Sequence, residues 1–216
     1  MKIRDMITEG ADKLAKAGIE CADNDAKLLA RHILNCDYTR LTLIYMDEVD
    51  IDTCKKYYQL IDKRSEHYPC QYIIGTQDFM GIEFEVSENV LIPRPETEIL
   101  VETALDYAQK YQHKSLNTEA YVGVTKSIRV LDMCCGSGCI GISFKLSRMN
   151  AGYLGDEVAL ADISDDAISL AEKNNLKHNA HCNIIKTDLF ENINSRYDMI
   201  LSNPPYIKSK DVDGLM

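Results

Sequence analysis

Two clusters in this 216-residue sequence combine residue types and spacing that could do chemistry. The first is Asn203-Pro204-Pro205-Tyr206, directly after the apolar run Met199-Ile200-Leu201. Two prolines stop a strand, and neither supplies an amide donor, so the carbonyl of Pro204 is left as an acceptor. The side-chain oxygen of Asn203 is a second acceptor in the same corner. An NH₂ group placed between them would be held by both of its hydrogens, with its nitrogen lone pair directed elsewhere. Tyr206 offers a flat face to a planar amide or base. The same four residues also fit a plain Pro-Pro turn after a strand.

The second cluster is Asp132-Met133-Cys134-Cys135-Gly136-Ser137-Gly138-Cys139-Ile140-Gly141. It lies between a predicted strand and a predicted helix, where glycine lets the backbone approach a ligand closely. Gly136, Gly138 and Gly141 also satisfy the G-x-G-x-x-G spacing of a dinucleotide fold, so the loop alone does not choose between ligands. Asp162 ends the next predicted strand, at the edge of an open parallel sheet where ligands lie, and its carboxylate can accept from both hydroxyls of a ribose. The alternative for Asp162 is a cap entering the following helix, a role that Ser164 or Asp165 could serve equally well, and with the loop beside it ribose binding is the preferred reading. Asp188 ends a third strand, placed to accept from an amino group of a base or to cap the turn into Leu189-Phe190.

Both clusters need a scaffold. From residue 128 onward strands and helices alternate: strands at 128–132, 158–162, 183–186 and 198–202, with helices at about 139–149 and 165–178. That alternation predicts a parallel sheet with right-handed crossovers. Residues 112–127 are polar and without period, which predicts a long loop after a helix at 99–111. Gly75, Gly81 and the alternation Ile82, Phe84, Val86 predict a β-hairpin turning at Met80-Gly81. Pro93 and Pro95 make the segment after it extended. The first 70 residues read as short amphipathic helices: one ending at Gly18, one capped within Asp23-Asn24-Asp25, one at 41–46, and one starting from Asp50 or Asp52 and ending before Pro69. Such helices bury their stripes only against one another, so a helical bundle follows. The expected domains are 1–70, a hairpin and Pro-rich linker at 71–98, and a sheet domain at 99–216.

Composition narrows the function. With 45% hydrophobic and 27% charged residues the chain can bury a core, which excludes a disordered protein. The net charge is −10, and the first 70 residues hold 11 basic against 13 acidic residues, so neither half has the basic excess of a general nucleic-acid binder. No apolar run approaches the length of a membrane span, and the N-terminus lacks the apolar block of a secretory signal. The eight cysteines include no C-x-x-C pair, so no metal site is expected. Cys134, Cys135 and Cys139 read as small residues of a tight loop rather than thiolate ligands. Unpaired cysteine usage of this kind suits a reducing cytoplasm.

Taken together, these parts resemble the class I S-adenosylmethionine-dependent methyltransferases, and more narrowly the HemK/PrmC family of release-factor glutamine methyltransferases. The resemblance begins near Asp25-Ala26-x-Leu28-Leu29 and strengthens through Pro69-x-x-Tyr72-x-x-Gly75. It continues through Phe79, Phe84-x-Val86 and Leu91-Ile92-Pro93-Arg94-Pro95-Glu96-Thr97-Glu98. It then takes in the loop from Asp132 to Gly138, Asp162, Asp188-Leu189-Phe190 and Asn203-Pro204-Pro205-Tyr206-Ile207. It implies an N-terminal helical domain that helps to bind the release factor, a β-hairpin linker and a Rossmann-like α/β sheet.

The family pattern carries the S-adenosylmethionine site onto Cys134, Cys135, Gly136, Ser137, Gly138, Asp162, Asp188, Leu189 and Asn203. It carries substrate-amide recognition onto Asn203, Pro204, Pro205 and Tyr206, with Asn203, Pro204 and Tyr206 at the reacting centre. Two departures stand out: the family has glycine at the position of Cys134 and commonly an aromatic residue at that of Leu189. Family members continue beyond Tyr206-Ile207, so the sheet is expected to stop after its fourth strand, leaving Met199-Ile200-Leu201 as an exposed apolar edge open to self-association. The rival readings are an adenine-amino DNA or RNA methyltransferase, whose substrate NH₂ suits the same corner, and a noncatalytic partner-binding adaptor.

Overall fold

A computed structural model describes residues 1–116 and 127–205. It divides into two compact units, Met1–Gly75 and Thr76–Met216. Among the described residues no helix is long and apolar enough to cross a membrane.

The first unit consists of α1 (Ile3–Lys16), α2 (Ala22–Ile33), α3 (Tyr38–Leu43), α4 (Ile51–Ser65) and α5 (Cys70–Ile74). The stripe Ile3, Met6, Ile7, Gly10 and Leu14 of α1 is buried together with Ala26, Leu29 and Ala30 of α2 and Tyr57 and Ile61 of α4. Gly10 is glycine because α4 comes too close for anything larger: a Cβ there would lie 2.3 Å from the Tyr57 hydroxyl. That hydroxyl donates to the carbonyl of Ala26 at 3.2 Å, so one buried tyrosine ties α4 to α2 beside α1.

Asp50 caps α4 as expected, accepting from the Thr53 amide at 2.9 Å. Three expectations shift. Helix α2 starts at Ala22 with no side-chain cap, because Asp23 and Asp25 fall in its first turn and pair instead with Lys27 (2.6 Å) and Arg64 (2.7 Å). Helix α3 is Tyr38–Leu43 rather than 41–46, because Asp37 accepts from the Arg40 amide and sets the start. Helix α5 lies just beyond the expected end of the helical part at residue 70 and closes at Gly75, which has φ of 86°.

The second unit opens with the hairpin β1 (Thr76–Phe79) and β2 (Ile82–Glu85). Met80 and Gly81 between them have φ of 54° and 71°, the pair of positive values that gives a two-residue turn matching strand twist. The Met80 amide donates to Glu98 at 2.7 Å, fixing that turn to α6 (Glu98–Leu116). This helix runs past residue 111, so the polar stretch expected as loop is helical up to 116; residues 117–126 of that expected loop lie outside the described residues.

The sheet that follows consists of β3 (Arg129–Met133), β4 (Glu157–Asp162), β5 (Asn183–Lys186) and β6 (Met199–Ser202), in the order β5-β4-β3-β6. All neighbours are parallel. Helices α7 (Cys139–Asn150) and α8 (Asp165–Lys177) make the crossovers. Val130, Leu160 and Leu201 pack in one core with Phe79, Phe84, Val101, Ile142 and Phe144, while Leu131, Met133, Ala159 and Ala161 occupy the other face. The apolar edge expected at 199–201 is therefore only partly right. Successive side chains of a strand face opposite ways, so Leu201 is buried and Met199 partly buried in the first core, and Ile200 alone is exposed. Among the described residues β6 pairs with β3 only.

Candidate functional site

Register brings the candidate residues to one edge of the sheet. Met133 pairs with both Ala161 and Ser202, and Asp162 pairs with Lys186, so β3, β4, β5 and β6 all end at the same level. The loop Cys134–Gly138, Asp162, Asp188-Leu189 and Asn203 each follow or close one of these ends. In an open parallel sheet the carboxyl edge is where ligands bind, and β3 is the strand from which the chain goes first to β4 on one side and later to β6 on the other.

The loop backbone is strongly bent: φ is 60° at Cys134, 55° at Gly136 and 78° at Gly138. Cys134 thus adopts, as a non-glycine residue, a conformation that glycine takes more readily. The Gly138 amide donates to Cys135 at 2.8 Å, and the Cys135 amide to Ala161 at 3.0 Å. Asp162 reaches across from β4, where its Oδ2 accepts from the Gly136 amide (2.9 Å) and its Oδ1 from the Ser164 amide (3.0 Å). The cap of α8 is Ser164, whose hydroxyl accepts from the Ala167 amide. Asp162 is therefore a strap on the glycine loop. Each of its oxygens has a second lone pair with which a hydroxyl of a ligand could be held.

Burial raises the thiol pKa of Cys134, Cys135 and Cys139, the last to about 12, aided by the charges of Asp162 and Asp132 on the first two and of Asp132 on the third. Thiols held protonated in this way are poor metal ligands. Beneath the loop Asp132 is completely buried. Its Oδ2 accepts from the Gly141 amide at 2.8 Å, and its Oδ1 has no hydrogen-bond partner among the described residues. Desolvation raises its pKa to about 7, with the nearby Asp162 adding to the effect and the Gly141 amide opposing it.

At the end of β6, the Ser202 hydroxyl donates to the carbonyl of Met133 at 2.7 Å, tying this corner to the start of the glycine loop. Asn203 is half-buried, and its Nδ2 donates to Thr97 Oγ1 at 3.3 Å. Thr97 closes the 3-10 turn Pro95–Thr97 that leads into α6. Pro204 and Pro205 are exposed, and Tyr206 lies outside the described residues. Asp188 is exposed, and Leu189 (φ 45°) is held by the Thr187 hydroxyl donating to its carbonyl at 3.1 Å.

A nucleoside-bearing cofactor fits this edge on three observations. A carboxylate with lone pairs to spare closes β4. A glycine turn beside it allows close approach. Two large apolar side chains, Ile163 and Leu189, immediately follow Asp162 and Asp188, are 60% and 55% exposed, and offer an apolar face beside each carboxylate. Sequence reasoning missed how two residues hold this arrangement: Thr97, placed within the motif Leu91–Glu98, and Asn174 on α8. The signal for Asn174 was available, since it continues the buried stripe Ala167, Leu170, Ala171 at helical spacing, where a polar residue needs partners.

Residues 5–75 match the model of the PrmC N-terminal domain, and residues 97–215 that of the methyltransferase small domain. The release factor glutamine methyltransferase of Clostridium botulinum is 36% identical over 100% of this chain and 71% of its own length. The bifunctional methyltransferase of Rickettsia typhi is 33% identical over 97% of this chain and 41% of its own length. Among solved structures, the Pyrococcus abyssi tRNA (uracil-54, C5)-methyltransferase in complex with S-adenosyl-L-homocysteine covers 60% of this chain and 28% of its own, at 17% identity and a TM-score of 0.43. The match to the Clostridium botulinum enzyme spans the helical unit, the hairpin and the sheet. On that full-length agreement the chain belongs to the release factor glutamine methyltransferase family.

Proposed function

We propose that this protein transfers a methyl group from S-adenosylmethionine to the side-chain amide nitrogen of a glutamine in a peptide chain release factor. The observation that carries the reading is the placement of Asn203: it follows the strand whose end pairs with the end of β3, where the glycine loop begins, and its Nδ2 is engaged by Thr97. With Nδ2 toward Thr97, the carboxamide oxygen would serve as an acceptor for the substrate amide. The helical unit Met1–Gly75 is the proposed contact for the release factor.

S-adenosylmethionine supplies a methyl group on a positively charged sulfur. Asp162, the turn Cys134–Gly138, Asp188 and Leu189 are the residues that would hold it. An amide nitrogen is a poor nucleophile because its lone pair is delocalised. Asn203 Oδ1 and the Pro204 carbonyl accept from its two N–H groups, aligning the lone pair and favouring positive charge as it develops on nitrogen. Tyr206 would offer its ring to the amide plane. As the nitrogen–methyl bond forms the sulfur–methyl bond breaks, S-adenosylhomocysteine leaves, and the surplus amide proton passes to water after transfer. Catalysis is then positioning and electrostatics, and no residue is required as a general base.

The test is mass spectrometry of a release factor incubated with isotopically labelled S-adenosylmethionine and this protein. One labelled methyl on a glutamine is expected. Asn203→Ala should lower the rate by about 10- to 1000-fold, the range for one oriented polar group at a reacting centre. A release factor left unlabelled, or an alanine variant as fast as the original, would refute the assignment.

A further inference from the structure

The last turn of helix α8 carries two consecutive asparagines, Asn174 and Asn175, and the carboxamide of each is spent on backbone. Asn175 Nδ2 donates to the Cys182 carbonyl (3.0 Å) and its Oδ1 accepts from the Cys182 amide (2.9 Å), which pins the turn from α8 into β5. Asn174 has no exposed surface and makes three hydrogen bonds. Its Oδ1 accepts from the Glu85 amide at 2.8 Å, and its Nδ2 donates to the Glu85 carbonyl at 3.1 Å and to the Ser137 carbonyl at 3.0 Å. The first two bonds pair the side chain with the last residue of β2 as a neighbouring strand would. The third reaches the middle of the glycine turn.

Two consecutive residues of the turn are thus gripped from the β4–α8 segment by opposite chemistry. Asp162 accepts from the amide of Gly136, and Asn174 donates to the carbonyl of Ser137. Gly136 and Gly138 leave this backbone with more freedom than any other residue type would, so side chains must supply the rigidity. The inventory of donors explains the residue. A carboxamide at this reach provides one acceptor and two N–H donors, and all three are used. Aspartate lacks the donors, serine has one, and glutamine is a methylene too long.

We infer that Asn174 is a positioning residue of the cofactor site, which locks the glycine turn to the hairpin and so presets the turn before the cofactor arrives. The inference rests on the methyltransferase reading for the identity of the cofactor, and Asn175 supplies an internal control one residue away.

The experiment compares Asn174→Ala with Asn175→Ala in the full chain by two measurements. Calorimetric titration with S-adenosylhomocysteine should show Kd weakened about 5- to 100-fold for Asn174→Ala, the scale for leaving a polar group of a binding loop without its partner. Asn175→Ala should stay within about twofold of the original. Amide hydrogen exchange of the ligand-free proteins should speed up across residues 134–140 for Asn174→Ala only. If the alanine variant does not fold, Asn174→Gln, which keeps the polar group but displaces it, should give the same pattern. Equal weakening by both alanine variants, or an Asn174 variant with unchanged affinity and exchange, overturns the inference while leaving the methyltransferase reading in place. Failure of the original protein to bind S-adenosylhomocysteine overturns both.

Discussion

Asn203 Nδ2 donates to Thr97 Oγ1 at 3.3 Å, joining the corner after β6 to the turn before α6 across 106 positions of sequence. A primary carboxamide can present either its nitrogen or its oxygen in a given direction, and here the nitrogen faces the threonine hydroxyl. Thr97→Val keeps the shape and removes the acceptor. It should lower kcat about tenfold while leaving S-adenosylhomocysteine affinity within about twofold, because the proposed cofactor site rests mainly on Asp162 and the glycine turn, whereas the substrate amide depends on the orientation of Asn203. Thr97→Ser should recover most of the rate. Steady-state kinetics beside calorimetry check this, and a valine variant with unaltered kcat would remove Thr97 from the site.

Gly141 is the third glycine of the G-x-G-x-x-G pattern, and its reason lies in packing. A Cβ there would lie 2.3 Å from Leu160 Cδ2 and 3.0 Å from Asp132 Cβ, so α7 would have to move away from β3 and β4. Gly141→Ala should cost about 1 to 3 kcal/mol, the range for overpacking. It should also lengthen the bond from the Gly141 amide to Asp132. Urea unfolding with an unchanged midpoint would contradict the close approach.

Burial gives Asp132 a pH signature. Its pKa is raised to about 7 in the fold from an ordinary value of 3.8. Between those values the native state binds a proton that the unfolded state releases, so stability falls as pH rises from about 4 to about 7 and the loss is complete above that. The full loss is on the order of 4 kcal/mol, from a shift of about three units at 1.36 kcal/mol each. Asp132→Asn lacks the titrating group and keeps an acceptor for the Gly141 amide. The difference in unfolding free energy between variant and original should therefore shift toward the variant across that window. A constant difference from pH 4 to pH 8 would show that Asp132 does not titrate there.

At the opposite edge of the sheet, Asp156 Oδ2 accepts from Arg148 Nε at 2.6 Å and its Oδ1 from the Ile128 amide at 3.0 Å, while Lys145 donates to its carbonyl oxygen. Both side chains of the ion pair are almost wholly buried. Asp156→Ala removes the carboxylate that faces a buried guanidinium and should cost about 3 to 5 kcal/mol. Because Asp156 lies at the amino ends of the strands, the folded fraction should keep its affinity for S-adenosylhomocysteine. Thermal denaturation with and without ligand separates the two effects. A melting temperature within a degree or so of the original would sink the prediction.

How legible the molecule was in its sequence depended on whether a signal was local. The strands at 183–186 and 199–202 and the helices starting at Cys139 and Asp165 follow from apolar runs broken by glycine, serine and aspartate. The hairpin turn at Met80-Gly81 follows from alternation on either side. The cap of α2 was misplaced because Asp23, Asn24 and Asp25 all offered themselves, and α3 was set three residues late because the cap at Asp37 went unread. Asp25 is drawn to Arg64, 39 positions later, so it does not cap α2.

The sequence by itself determined the family, the alternation of strand and helix, and the set of residues that the strand ends would carry, because motifs and periodicities are properties of neighbouring residues. Tertiary structure decided what those residues are attached to. Asp162 could be ribose ligand or helix cap from its position alone. The fold shows its carboxylate spent partly on the Gly136 amide, while Ser164 takes the cap. Thr97 and Asn174 had no motif to mark them as partners of Asn203 and Ser137. Their roles arise from hydrogen bonds between segments that meet only when the sheet has formed, since a buried donor must find its acceptor wherever the fold brings one.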